Sequence, residues 1–156
     1  MTLTGPLTRL GAFIAILVFA ADQLSKYWIL RIINLDEREP IEITAFMDLA
    51  MAWNRGVSYG LLATNTQVLL IILSLAISVF IWLWLAKATH VLAALAFGLV
   101  LGGAIGNALD RAVHGAVADF VHLHWGTWSW YVFNLADIAI VAGVALLIYD
   151  GLVKGR

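Results

Sequence analysis

The stretch "VFNLADIAIVAG", Val132 to Gly143, carries one carboxylate, Asp137, at the head of an apolar run that meets no further charge until Asp150. A helix needs about 20 mostly apolar residues to cross the ~30 Å hydrocarbon core at 1.5 Å per residue. Read outward from Asp137, Tyr131–Tyr149 is expected to span a membrane, and so are Leu10–Leu30, Val68–Ala86 and Val91–Ala108. A carboxylate in such a segment costs about 2.5–3.5 kcal/mol at mid-bilayer, so it calls for a partner or a function.

Composition agrees. The chain has 156 residues, 63% of them hydrophobic and 12% charged, against about half and a quarter in soluble domains; mean hydropathy is +0.94. The expectation is one membrane-embedded domain over residues 1–156, an all-α integral membrane protein of four transmembrane helices with a small extracytoplasmic β-rich flap. The net charge of −1 gives no reason to expect nucleic acid as a partner. The absence of cysteine removes disulfides, thiol nucleophiles and thiolate metal sites. Arg9 before an apolar run and Val18-Phe19-Ala20 imitate a cleaved signal peptide, but "YWIL" resumes the apolar character after Lys26, so an uncleaved helix is the better reading. Arg9, Lys87, Lys154 and Arg156 fall on one side of a four-span protein. The other side holds Asp36, Glu37, Glu39, Glu42 and Asp48 against Arg38 and Arg55. Basic residues stay inside, which predicts cytoplasmic termini and an acidic outer loop.

That loop, Asn34–Gln67, is too long for a turn. "PIEITAF" alternates as a short strand does, and Gly56 and Gly60 mark turns. Gly98, Gly102 and Gly106 in the third segment, with Gly103, read as a close-packing helix face rather than chemistry. Trp125, Trp128, Trp130 and Tyr131 read as an interfacial aromatic belt.

The polar residues share a depth. Asp22 and Asp137 each lie roughly 20 Å across from the cytoplasmic ends of their helices, Lys26 about 25 Å and Asn107 about 24 Å. Asp22 and Lys26 are four apart, acid first, on one helix face. Asn107, Asp110 and Arg111 share another. The bland account is that these pairs, Asp22 with Lys26 and Asp110 with Arg111, pin helix ends at the interface. Asp119 in "VADF" and Asp137 in "FNLAD" lack basic neighbours in sequence. Two carboxyls held close in a poorly hydrated place keep one proton between them, and such a pair can activate a water toward a carbonyl. Equally, each aspartate can cap a helix end independently.

Other constellations compete. "GVSYG", Gly56 to Gly60, matches the nucleophile elbow around Ser58 with His114, His122 or His124 as base, but the chain has no room for the sheet that motif needs. "HLH", His122 to His124, offers two zinc ligands on a strand without an evident third. Intramembrane charges also mark ion paths, but the inner helix halves are apolar and there is no inverted repeat.

Five segments, "DQLSK" (Asp22–Lys26), "NRGVSYG" (Asn54–Gly60), "GGAIGNALDR" (Gly102–Arg111), "VADF" (Val117–Phe120) and "FNLAD" (Phe133–Asp137), together resemble the prolipoprotein signal peptidase, or signal peptidase II, family. The resemblance implies an aspartic endopeptidase of the bacterial cytoplasmic membrane that cuts a prolipoprotein before its diacylglyceryl-modified cysteine, with no cofactor or metal. It matches Asp119 and Asp137 to the catalytic pair. It matches Asn54, Gly56, Asn107, Arg111 and Asn134 to substrate-binding or supporting positions, with Asp22, Lys26 and Asp110 in support. The implied partners are the lipidated precursor and membrane lipid, with a monomer expected. Tyr59 stands where phenylalanine is common, and His122 and His124 lie outside the shared pattern.

Overall fold

The computed structural model describes residues 3–56 and 66–154. Ser58, Tyr59 and Gly60 lie outside the described residues. Four helices among those described are long and apolar enough to cross a membrane: α1 (Thr8–Tyr27), α2 (Thr66–Leu85), α3 (Val91–His114) and α4 (Leu135–Lys154). α1 runs on through a π-helical turn, Trp28–Ile33, that ends where Asn34 turns left-handed at φ 54°. Strands β1 (Ile41–Thr44), β2 (Met47–Asn54), β3 (Val117–Trp125) and β4 (Trp128–Ser129) form one antiparallel sheet in that order. The fold is thus mostly helical with a small sheet at one end.

The predicted spans exist, with boundary corrections in the third and in the fourth, which runs on past Tyr149 to Lys154. The third helix continues six residues past Ala108, because Asp110 and Arg111 find partners inside the protein. It stops at Gly115, whose φ of 68° suits glycine at a helix end. The fourth begins at Leu135 rather than Tyr131. Phe133 pairs with Val121 of β3 through hydrogen bonds of 2.8 and 3.0 Å, so the aromatic lead-in is extended chain and not helix.

α3 is the buried helix of the bundle; α1, α2 and α4 pack around it. Its glycines permit the approach. A Cβ on Gly98 would lie 2.6 Å from the Gly11 carbonyl oxygen, and one on Gly102 2.5 Å from that of Ala15, both on α1. On Gly103 it would lie 2.5 Å from Ala136 O on α4. The close-packing reading of this stripe therefore holds. Gly106 differs, since its missing Cβ makes room for the Asp22 carboxylate at 2.6 Å. The flap is more than the Asn34–Gln67 loop. β2 pairs with β3, setting Ala52 opposite Asp119, and Ile29, Leu35 and Phe120 form a small core beneath the sheet. Trp125, Trp128, Trp130 and Tyr131 are exposed around the β3–β4 hairpin, as an interfacial belt requires.

Gly102→Ala should lower the unfolding free energy in detergent by about 1–3 kcal/mol, because backbone must move to admit the methyl. Gly151→Ala, whose Cβ would meet nothing within 4 Å, should leave it unchanged. Equal melting temperatures for the two variants would contradict the packing account.

Candidate active site

The start of α4 is built by a reciprocal cap. Asn134 precedes the first helical residue, and its Oδ1 accepts from the Asp137 amide at 3.1 Å. The Asp137 Oδ2 accepts from the Asn134 amide at 3.2 Å. This is a capping box with Asn and Asp in the two roles, satisfying two amides the helix itself leaves unpaired. The cap leaves the amide end of Asn134 free. Its Nδ2 donates to Asp119 Oδ1 at 2.5 Å and to Asn107 Oδ1 at 3.2 Å. Asn107 Nδ2 in turn donates to the second Asp137 oxygen, Oδ1, at 2.8 Å. One buried asparagine therefore touches both aspartates, and a second closes the circuit.

Asp119 is carried in by β3 and is 2% exposed. Its other oxygen accepts from Asn54 Nδ2 at 3.0 Å. Asn54 ends β2, and its own Oδ1 accepts from the Gly56 amide at 2.9 Å, in a turn where Gly56 has φ 85°. Gly56 thus orients the amide that reaches Asp119. Burial pushes the Asp119 carboxyl up to about 6. The hydrogen bonds from Asn134 and Asn54 pull against that rise and the charge of Asp137 adds to it. The folded value exceeds the free one, so this proton favours the folded state in acid, and the contribution is lost as pH rises through about 6.

Beside the aspartates lies a second polar cluster. Lys26 is buried, with Nζ 2.8 Å from Asp22 Oδ2, 2.7 Å from Asp110 Oδ2 and 3.3 Å from Asn107 Oδ1. An ammonium has three protons to donate, and each has an acceptor. Asp22 Oδ1 also accepts from the Ala136 amide of α4 at 3.0 Å, and Asp110 Oδ2 from the Ala118 amide of β3 at 3.2 Å. The cluster therefore ties α1, α3, α4 and β3 together at one depth. The expected pairing of Asp110 with Arg111 is corrected: Asp110 pairs with Lys26. Arg111 donates through Nη1 to the Asn107 carbonyl at 3.3 Å and acts electrostatically on Asp137 and Asp119.

Two sets of relatives frame this site. The family model described as signal peptidase II matches residues 14–153. The chain belongs to the signal peptidase II family. A lipoprotein signal peptidase of Methylocella silvestris is 51% identical over 150 residues, covering 94% of this chain and 88% of that protein. One from Nitrobacter hamburgensis is 44% identical, covering 94% and 93%. Two solved chains described as bacterial membrane enzymes share the fold at 24% identity. Their TM-scores are 0.80 and 0.81, with 94% and 96% of this chain and 90% and 97% of theirs covered. As a signal peptidase II the chain is a protease embedded in a membrane.

Within that family frame, the structure brings Asn54, Gly56, Asn107, Arg111, Asp119, Asn134 and Asp137 to one place, with Asp22, Lys26 and Asp110 alongside. Gln23 was not singled out from the sequence. Its Nε2 donates to Asp22 Oδ2 at 3.0 Å and Asp110 Oδ1 at 3.1 Å. An amide beside an intramembrane acid was the available signal. His122 and His124 stand apart on the sheet, sharing Asp48 at 3.7 and 3.1 Å. Among the described residues no group of three or more His, Cys, Asp or Glu is arranged to hold a metal ion.

Lys26→Met strands two buried carboxylates, a loss of about 3–5 kcal/mol when one partner of a buried pair is removed. The variant should fail to accumulate or should melt far earlier than the parent. Adding Asp22→Asn and Asp110→Asn should recover much of the loss. A Lys26→Met protein with unchanged melting would show that the cluster does not hold the bundle.

Proposed function

We propose that the protein is an aspartic endopeptidase of the bacterial inner membrane. It removes the signal peptide from diacylglyceryl-modified prolipoproteins just before the lipidated cysteine, using a water activated by Asp119 and Asp137. Family membership and the names of the relatives support the prolipoprotein substrate. The observation that carries the aspartic mechanism is the shared asparagine: Asn134 is bonded to both carboxylates at once, which independent helix caps would not require.

In this reading Asp119, whose hold on a proton is strengthened by burial, serves as the acid and Asp137 as the base. Asp137 takes a proton from water as the water oxygen attacks the scissile carbonyl carbon, while Asp119 gives its proton to the carbonyl oxygen. Collapse of the tetrahedral species breaks the C–N bond. The proton on Asp137 passes to the leaving nitrogen, and Asp119 recovers its own from the intermediate's hydroxyl. The products are the signal peptide's carboxylate and the free amine of the lipidated cysteine. The charge balance favours this arrangement. Among the described residues Asp22, Asp110, Asp119 and Asp137 face only Lys26 and Arg111, so a retained proton relieves an excess of negative charge.

Cytoplasmic termini put the aspartates near the outer surface, where the scissile bond of a precursor anchored by acyl chains would lie. The outer sheet, with Asn54 at its edge, would close over the peptide. The protein acts as a monomer in this reading.

Asp119→Asn and Asp137→Asn should each lower cleavage of lipidated precursor by at least about a hundredfold without loss of folded protein. Either variant working at the parent rate would remove that residue from the chemistry. Unlipidated precursor should be cut far more slowly than lipidated. On the alkaline side kcat/KM should fall as Asp119 loses its proton, and Asn54→Ala, which deletes a bond favouring the ionised form, should move that limb to higher pH. A limb that stays put or moves down would contradict the role given to Asp119. Phenanthroline should leave turnover unchanged, and fluorophosphonate should not label Ser58; inhibition by either would favour the zinc or serine alternative.

A further inference from the structure

α3 presents different chemistry to its two sides. Asn107 and Arg111 face the aspartates. Ile105 is two residues from Asn107, about 200° round the helix, and it and Leu101 line a separate apolar trough of about 860 Å³ between α1 and α2. Ala12, Ile16 and Phe19 form its α1 wall and Val79 part of its α2 wall; the Ser78 hydroxyl in it is spent on the Ser74 carbonyl at 2.8 Å. Next to the trough lies a second cavity of about 520 Å³ at the start of α1, where Thr4, Thr8 and Arg9 introduce hydroxyls and a cation. Ala12 and Trp82 line both cavities, so the two adjoin there.

Arg9 is exposed and forms no ion pair with any described residue, and the first turn of α1 contains no acid. From Arg9 to Phe19 the helix rises about 15 Å, half of a ~30 Å hydrocarbon core, which is the reach of one leaflet's acyl chains. An apolar slot one leaflet deep, beside a cation that no described residue pairs, matches an amphiphile with an anionic head. A signal-peptide helix fits poorly, because its own basic n-region would meet Arg9. A second copy of this chain would likewise bring Arg9 and Lys87 at the same end.

We propose that this trough binds one anionic phospholipid, with an acyl chain between α1 and α2 and the phosphate on Arg9, apart from the peptidase site. Native mass spectrometry of the detergent-solubilised protein, titrated with phosphatidylglycerol or phosphatidylcholine, tests it. One phosphatidylglycerol should be retained about fivefold or more tightly than phosphatidylcholine, the discrimination one basic residue gives at an anionic surface. Arg9→Gln should erase that preference without changing cleavage, and Ala12→Leu, which fills the trough, should weaken both lipids. Equal affinity for the two lipids, or a preference that survives in Arg9→Gln, overturns the proposal. So does a photo-crosslinking residue at position 19 that captures the precursor's signal peptide instead of phospholipid.

Discussion

The Asn134 side chain is the constraint on which the sheet end of the molecule depends. Its oxygen starts α4 and its nitrogen holds Asp119, while its backbone amide holds Asp137. Helix register, strand position and carboxylate placement are fixed by one residue with no exposed surface. A neutral amide suits the task. A cation there would favour ionisation of both acids, and an apolar residue would leave the α4 start uncapped.

The Lys26 cluster does the same work beside it, with charge in place of a neutral amide. Burying an ion pair is costly, and its attraction repays the cost only when the remaining hydrogen-bonding capacity is met. Here the ammonium has three acceptors, and the carboxylates also accept from backbone amides of α4 and β3 and from Gln23. Those amide bonds connect the cluster to the paired aspartates: Ala136 adjoins Asp137, and Ala118 adjoins Asp119. The glycine stripe makes the arrangement possible, since Gly106 vacates the space that Asp22 occupies.

Much of this was legible in the chain. Span length and hydropathy located four helices, and a common depth for Asp22, Lys26, Asn107 and Asp137 pointed to one polar layer. What failed depended on contacts distant in sequence. Asp110 and Arg111 looked like an exit from lipid, yet Lys26, more than eighty residues earlier, accommodates Asp110 inside, so α3 runs longer. Tyr131–Phe133 looked like the top of a helix because they are apolar; pairing with β3 makes them extended. β3 itself has its partner, β2, some sixty-five residues away, and its apolar-polar pattern is too irregular to reveal that pairing. Gln23 was overlooked between two charged neighbours whose pairing seemed complete without it.

The central claim is that Asp119 and Asp137 act as one catalytic unit rather than as two separate contributors. Residual cleavage rates of Asp119→Asn, Asp137→Asn and the double variant, measured on lipidated precursor at saturating and limiting substrate, test it most directly. Groups that work as a unit are strongly non-additive, so the double variant should be no slower than the slower single. Losses that multiply in the double variant would mean that the two carboxylates contribute independently, and the shared-proton account would be wrong.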